Sequence, residues 1–280
     1  MNPVDKAVWF IESHFTDELP LDEIAKVAGV SRYHLSRAFG VAMGVSMQRY
    51  IRGRRLTQAA RSLANGAADI LDVALACGYG SHEAFTRAFR DQFGFTPESV
   101  RAQKHLDNVN LVEPIPMKQQ HSDRLEPPRF IENKAILIAG LSQRYDSQTS
   151  ANIPAQWQKF MPYIGNVPNQ VGGAAYGVLC NSDDTGHIDY ICGVEVSDFS
   201  NLLPEFVHLR IAPQRYAVFA HRGHISSIRS TWYSIWNHWL PTYGCRVVDA
   251  PDFERYGEEF DPRTGNGGLE IWIPIERSTG

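Results

Sequence analysis

Basic and polar side chains cluster in two short segments of the sequence that lie about fifty residues apart. The first segment contains Arg32, Tyr33, Ser36 and Arg37, and the second contains His82, Glu83, Thr86, Arg87 and Arg90. Guanidinium groups bind phosphates and can donate two hydrogen bonds to one guanine, and hydroxyl and carboxylate groups bond to other base edges. Each segment also places apolar residues at helical spacing. The pattern predicts two helices that each present a polar face to nucleic acid.

An internal repeat predicts the elements that position these side chains. Ala25 and Gly29 return as Ala74 and Gly78, Arg37-Ala38-Phe39 returns as Arg87-Ala88-Phe89, and Gly44-Val45-Ser46 returns as Gly94-Phe95-Thr96. In each copy a small residue lets two helices cross closely, and a glycine permits a tight turn. Ser31 and Ser81 are suited to cap the second helix of each copy. The repeat therefore predicts two helix-turn-helix units.

Arginines also mark the segment between the two copies. Residues 47–64 are predicted to form one long helix, and we expect Arg49 and Arg55 on it to contact phosphates. The whole chain has a net charge of −4, but residues 31–104 hold 11 Lys and Arg against 5 Asp and Glu. This concentration of positive charge favours a module that neutralises phosphates. A solvated basic face without a partner is the alternative.

The run from Ala74 to Pro97 closely follows the signature of the AraC/XylS family DNA-binding domain, and the resemblance covers residues 5–104. It implies an all-α domain over residues 1–105 that binds duplex DNA through both helix-turn-helix units. It also implies a transcription regulator with RNA polymerase as a further partner. Family members often carry amides or other polar residues where this chain has Glu83. A glutamate there repels phosphate but can accept a hydrogen bond from cytosine N4.

Acidic and aromatic side chains mark the second half of the chain. In residues 269–275, alternation puts Leu269, Ile271, Ile273 and Ile275 on one face of a strand. Glu270 and Trp272 lie on the other face, where an acid beside an indole suits a cation or a polarised ring. Further candidates for such a site are Glu195, Tyr176, Trp232, Trp236, Trp239 and Tyr256. Each tryptophan fits a buried core as well, and Glu195 fits a solvated strand face.

The second half is also repeated. Trp157-x-x-Phe160-x-Pro162-x-x-Gly165 returns as Trp236-x-x-Trp239-x-Pro241-x-x-Gly244, and Gly193-Val-Glu-Val196 returns as Gly268-Leu-Glu-Ile271. Each copy is predicted to fold as strand, helix, strand, strand. Two such copies predict an α+β domain with one antiparallel sheet, two helices and a pseudo-two-fold axis.

Residues 129–277 resemble the GyrI-like effector domain, most clearly in Pro251–Tyr256 and Leu269–Ile275. Following an AraC-type domain, this arrangement resembles Rob-like regulators. The resemblance implies a groove between the two halves that binds small, often aromatic or cationic, molecules, with Glu270 as its carboxylate. Glu254 is expected to pair with Arg255 or another base.

Prolines and polar residues predict a linker over residues 106–128, between domains 1–105 and 129–280. Four scattered cysteines without a Cys-x-x-Cys pair predict a reduced cytoplasmic protein, with neither a metal site nor another cofactor. The first residues do not predict a signal peptide, and no apolar stretch is long enough to span a membrane.

The sequence thus predicts a ligand-responsive transcription regulator that is not an enzyme. Two alternatives remain for the GyrI-like domain. One is a hydrolase that uses Glu270 and Tyr256 in the same groove, although no nucleophile motif, phosphate-binding loop or metal set supports it. The other is a protein-interaction module that binds no small molecule.

Overall fold

The computed structural model describes residues 2–67, 69–114, 125–146 and 149–276 of the chain. By its contacts the chain divides into two compact units. Among the described residues, the first unit contains Asp5–Gly29 and the residues from Met47 to 114. The second contains Asn2–Val4, Val30–Ser46 and the residues from 125 onward. The predicted N-terminal domain therefore contributes two segments, Asn2–Val4 and Val30–Ser46, to the unit that is built around the C-terminal half.

Helices form the N-terminal part of the chain. They are α1 Pro3–His14, α2 Leu21–Ala28, α3 Arg32–Met43, α4 Met47–Ala64, α5 Ile70–Ala76, α6 His82–Phe93 and α7 Pro97–Gln103. The predicted caps are present, because Ser31 Oγ accepts from the His34 backbone N–H at 3.1 Å and Ser81 Oγ accepts from that of Ala84 at 3.2 Å. Gly29 and Gly78 have φ of +77° and +81°, the left-handed backbone that ends α2 and the turn after α5.

The core of the first unit positions α6. Phe85, Phe89 and Phe93 from one side of α6 pack with Leu56 and Leu63 of α4 in a buried cluster. The polar side chains of α6 occupy the remaining sides of the helix. Burial of one apolar stripe is what fixes an amphipathic helix on its neighbours.

Residues after α7, which the sequence analysis assigned to a linker, pack against the same unit. Val109 is buried in its core. The backbone N–H of Val112 donates to Thr57 Oγ1 at 2.9 Å, and its carbonyl accepts from Arg54 Nη1 at 2.7 Å. The described segment up to residue 114 is therefore part of the helical unit.

The second unit contains one antiparallel sheet. Its strands are β1 Arg129–Asn133, β2 Ile136–Tyr145, β3 Gln170–Cys180, β4 Ile188–Val196, β5 Val207–Ile211, β6 Gln214–His221, β7 Asp252–Tyr256 and β8 Leu269–Ile275. They lie in the order β1-β6-β8-β7-β3-β4-β2-β5. When β1–β4 are exchanged with β5–β8, the same order is obtained, read from the other end of the sheet. The predicted pseudo-two-fold axis therefore passes between β3 and β7. Each half has one strand more than the sequence predicted.

Helices pack on one face of this sheet. Helix α8 spans Ile153–Phe160, and α9 spans Ile228–Ser234 and continues through a π-helical turn, Ile235–Trp239, into α10, Leu240–Tyr243. Side chains of α8 and α9 pack with residues such as Tyr190 and Tyr256 on this face, called here the helix face. The other face has a core of its own, which includes Tyr176, Phe253 and Trp272 and is built from strand residues.

Candidate functional site

The central strand pair, β3 and β7, brings one acidic residue to the middle of the helix face. Glu254 lies directly opposite Gly177 in the register of the two strands. A Cβ atom on Gly177 would lie 2.1 Å from the Tyr190 hydroxyl and 2.9 Å from Glu254 Oε2. Because atoms cannot approach so closely, the glycine on one repeat creates the space that the glutamate on the other repeat occupies.

Three neutral donors surround the Glu254 carboxylate. Tyr256 and Tyr190 donate their hydroxyl protons to Oε2 at 2.7 and 2.8 Å, and Trp232 Nε1 donates to Oε1 at 3.0 Å. Glu254 is only 7% exposed. Burial raises the pKa of this carboxyl group above its ordinary value, and the three hydrogen bonds oppose the rise.

Aromatic rings close this group, which we call the Glu254 cluster: Glu254, Tyr190, Tyr256, Trp232 and Trp157. The ring of Trp157, on α8, packs edge-on against that of Tyr256 with centroids 4.9 Å apart. Trp157 Nε1 donates to the Tyr190 hydroxyl at 3.1 Å. Trp157 is half-buried, so it separates the carboxylate from solvent. A carboxylate among aromatic faces attracts cations, through its charge and through cation–π contacts.

Two of the eight residues that the sequence predicted for a ligand site, Trp232 and Tyr256, lie in the Glu254 cluster. Four others, Glu270, Trp272, Glu195 and Tyr176, lie on the opposite face of the sheet. There Glu270 pairs with Arg129 and accepts from Trp272 Nε1, and Glu195 accepts from the Tyr176 hydroxyl. Glu270 therefore already has a cationic partner, whereas Glu254 is hydrogen-bonded by neutral groups.

The remaining two predicted residues belong to other contacts. Trp236 is fully buried and packs edge-on against His34 and Tyr33 of α3. Trp239 stacks on Tyr243 and packs against Phe219. The alternative of a hydrolase that uses Glu270 with Tyr256 does not fit this geometry, because the two side chains project from opposite faces of the sheet.

The alternative that Glu254 pairs with Arg255 or another base differs from the structure, where its hydrogen bonds come from Tyr190, Trp232 and Tyr256. Residues two apart on a strand share a face, so Asp252, Glu254 and Tyr256 project together while Arg255 projects with Glu270. The sequence had already identified Tyr256 as a candidate for the wall of a ligand site. Alternation along β7 alone would have placed Glu254 on the same face as Tyr256 and away from Arg255 and Glu270.

Helix α6 is the better exposed of the two predicted DNA-reading helices. Glu83, Arg87 and Arg90 are exposed, His82 and Thr86 are half-buried, and His82 Nε2 lies 3.0 Å from Glu98 Oε1. On α4, Arg49 is exposed. Arg55, predicted to contact phosphate, instead donates from Nε to the Phe15 carbonyl at 2.6 Å, and so helps to hold the end of α1.

Helix α3 has different surroundings. Arg32 pairs with Asp184 of the β3–β4 loop, and Arg37 Nη2 lies 2.7 Å from Asp252 Oδ2 at the start of β7. The Arg37 side chain is 10% exposed and that of Asp252 is 1% exposed. Tyr33 and Ser36 are half-buried. Of the four predicted reading residues on α3, only Arg32 is thus solvent-exposed in this structure.

No group of three or more His, Cys, Asp and Glu side chains in the described residues is arranged to hold a metal ion. Within the same residues, no helix combines the length and the apolar character that crossing a membrane requires.

Both halves of the chain match known families. Residues 126–276 match the model of the GyrI-like small molecule binding domain, and residues 24–103 match that of a helix-turn-helix domain. The Right origin-binding protein of Escherichia coli is 24% identical over 98% of this chain and 97% of its own length. The transcriptional regulator Rob of Salmonella typhimurium is 25% identical over 98% of this chain and 97% of its own. A crystal structure of an AraC-type transcriptional regulator from Chromobacterium violaceum, 32% identical, covers 38% of this chain and 94% of that one with a TM-score of 0.36.

Proposed function

We propose that this chain, which belongs to the family of proteins with a GyrI-like small-molecule-binding domain, binds an aromatic cation at the Glu254 cluster. The chain is a DNA-binding transcription regulator with an AraC-type helix-turn-helix domain. The proposal concerns the chemistry of the effector and the residues that bind it.

The partners of Glu254 support a cationic effector. In the part of the chain that the structure describes, the carboxylate accepts hydrogen bonds from neutral hydroxyl and indole groups. A buried carboxylate that is hydrogen-bonded by neutral groups rather than by a cation is costly, as the raised pKa of Glu254 indicates. A bound cation would offset that cost, and each good contact with an aromatic face adds about 0.5–2 kcal/mol. This observation carries the proposal.

Entry of an effector requires a side-chain rearrangement, because the Glu254 cluster is closed. Trp157 covers Tyr190 and Tyr256 from the side of α8, and Trp232 covers the carboxylate from the side of α9. We propose that Trp157, the more exposed of the two indoles, swings outward and then stacks on the bound cation. An aromatic ligand replaces the ring contacts that are lost when Trp157 moves.

For DNA, we propose that α6 reads bases with Arg87 and contacts phosphates with Arg90. Both guanidinium groups lie on the exposed side of a helix whose other side is fixed by three buried phenylalanines. RNA polymerase is the protein partner that we expect for such a regulator.

Calorimetric titration of the full chain with tetraphenylphosphonium tests the effector proposal, with neutral triphenylphosphine oxide as the uncharged probe. We expect Glu254→Gln to weaken tetraphenylphosphonium binding by about tenfold or more, equivalent to about 1.4 kcal/mol. Binding of triphenylphosphine oxide should change by less than about twofold, because the aromatic walls remain.

Glu270→Gln is the matched control, since it removes the same charge from the neighbouring strand on the opposite face. It should leave both affinities unchanged. A loss confined to Glu270→Gln would reinstate the site that the sequence predicted. Failure of tetraphenylphosphonium to bind the parent protein would refute the proposal.

The pH dependence of stability is an independent check on Glu254. Because its pKa is raised in the folded chain above the ordinary value of 4.5, the folded state binds more protons than the unfolded state just above pH 4.5. The stability that protonated Glu254 contributes is therefore complete below pH 4.5 and is lost as the pH rises through the folded pKa. Glu254→Gln should gain melting temperature relative to the parent over that rise, and a constant difference would contradict the raised pKa.

A further inference from the structure

A buried ion pair joins α3 to the start of β7. Arg37 Nη2 lies 2.7 Å from Asp252 Oδ2, and the guanidinium lies 5.8 and 5.7 Å from the ring centroids of Trp232 and Trp236. Burial disfavours the charge of Arg37, but the adjacent Asp252 carboxylate outweighs this and raises its pKa. The side chain that the sequence predicted to reach a base edge is therefore enclosed by an acid and two indoles.

Further contacts hold the same helix. His34 Nε2 donates to the Trp236 carbonyl at 2.9 Å, which requires the tautomer with its proton on Nε2. Asn237 Nδ2 donates to the Ala38 carbonyl at 3.4 Å. Trp236 and Asn237 both lie in the π-helical turn that follows α9, and turns of this kind are frequent at functional sites. With the Arg32–Asp184 pair, α3 is held along most of its length.

The ion pair is nevertheless incompletely satisfied. Arg37 Nε and Asp252 Oδ1 are buried and lack a hydrogen-bond partner in the part of the chain that the structure describes. A buried ion pair gives net stability only when its remaining polar atoms are also bonded. A small structural change nearby is therefore enough to break this ion pair.

One indole links this contact to the Glu254 cluster. Trp232 donates from Nε1 to Glu254 and lies next to the Arg37 guanidinium. Asp252 and Glu254 project from the same face of β7, two residues apart. A cation that enters where Trp157 swings outward and pairs with the carboxylate competes with Trp232 Nε1 for it, and so loosens the ring that encloses Arg37.

We propose that α3 is held in an autoinhibited position by this contact, and that occupancy of the Glu254 cluster releases it for DNA. The inference rests on the proposed function, because release depends on an effector at Glu254. Arg37 cannot pair with Asp252 and contact DNA at once, so the two states exclude each other. When only a fraction of molecules has α3 free, the apparent DNA affinity falls by that fraction.

Affinity of the full chain for a short mixed-sequence DNA duplex, measured by fluorescence anisotropy at low salt, tests the inference. Asp252→Asn weakens the attraction for Arg37 and should tighten DNA binding by about fivefold or more. Asp249→Asn is the matched control: Asp249 is exposed in the segment before β7, and the variant makes the same change in net charge. It should bind like the parent, allowing for a small gain from the lost negative charge.

Asp184→Asn provides a second test in case Asp252→Asn does not fold. The Arg32–Asp184 pair is largely solvent-exposed, so its loss should not unfold the protein. Asp184→Asn should give a smaller gain in DNA affinity than Asp252→Asn, but more than Asp249→Asn. Equal affinities for the three variants would overturn the autoinhibited contact.

Saturating tetraphenylphosphonium tests the coupling. It should tighten DNA binding of the parent by about as much as Asp252→Asn does, and should add little to that variant. Tetraphenylphosphonium that binds calorimetrically without changing DNA affinity would overturn the coupling and leave the proposed effector site intact. If tetraphenylphosphonium does not bind, the proposed function and the coupling both fail, and Asp252→Asn against Asp249→Asn still decides whether α3 is held.

Discussion

Helices α3 and α6 occupy equivalent positions in the N-terminal repeat but have different surroundings. Both span twelve residues, follow a serine cap and end at a left-handed glycine, Gly44 or Gly94. In α6 the arginine of the shared Arg-Ala-Phe motif, Arg87, is exposed. In α3 the same arginine, Arg37, is buried against Asp252.

The comparison separates what a repeat determines from what its neighbours determine. Capping, helix length and the buried apolar stripe depend on residues that both copies share. The environment of the polar face of α3 depends on Asp252, Trp232 and Trp236, which lie in a different part of the chain. Equal motifs therefore need not be equally available for binding.

The largest expected difference between the two helices is in stability. Arg37→Ala leaves the Asp252 carboxylate buried without its cation, which should cost about 3 kcal/mol of unfolding free energy. Arg87→Ala removes an exposed side chain and should change the unfolding free energy by less than about 0.5 kcal/mol. Urea unfolding of both variants measures the difference, and equal values would remove the distinction between the helices.

A second test measures DNA affinity for a selected operator. Arg87→Ala should weaken specific binding by about 1–3 kcal/mol if its guanidinium contacts a base edge, and should relax the base preference at one position. In the absence of effector, Arg37→Ala should weaken binding less than Arg87→Ala, because Arg37 is enclosed. A larger loss for Arg37→Ala would mean that α3 already contacts DNA without an effector.

The smallest effect concerns the shared features. Ser31→Ala and Ser81→Ala each remove a side-chain acceptor for the first turn of the helix, so each should cost about 1 kcal/mol of unfolding free energy. Similar costs would confirm that the two copies are alike locally. If Ser31→Ala costs much more, its neighbours in the second unit also depend on this cap.

The local structure of the repeat could be predicted because its signals are local. The serine caps, the left-handed glycines at 29 and 78, and the long helix over residues 47–64 follow from residues within one or two turns. The antiparallel sheet with its pseudo-two-fold axis followed from the second repeat. The extra strand in each half was missed, because β1 and β5 are short and carry no repeated motif.

The site was predicted less well, because it depends on contacts between distant residues. Spacing identified Trp232 and Tyr256 as candidates, but not that Tyr190 of β4 would reach Glu254. Nor does any local pattern connect Arg37 with Asp252, which are 215 residues apart. Strand alternation could have placed Glu254 beside Tyr256, whereas the resemblance implied Glu270 as the carboxylate of a ligand groove.

Substitution of Gly177 provides a genetic test of the proposed response to the effector. A methyl group there would press on the Tyr190 hydroxyl and on Glu254, so Gly177→Ala occupies the centre of the cluster from the opposite strand. The substitution lies outside α3 and α6, and it changes no charge. A strain carrying Gly177→Ala should therefore make a regulator that keeps the DNA affinity of the effector-free parent and no longer responds to the effector. Comparison of gene expression in this strain and its parent would identify the genes that follow the effector.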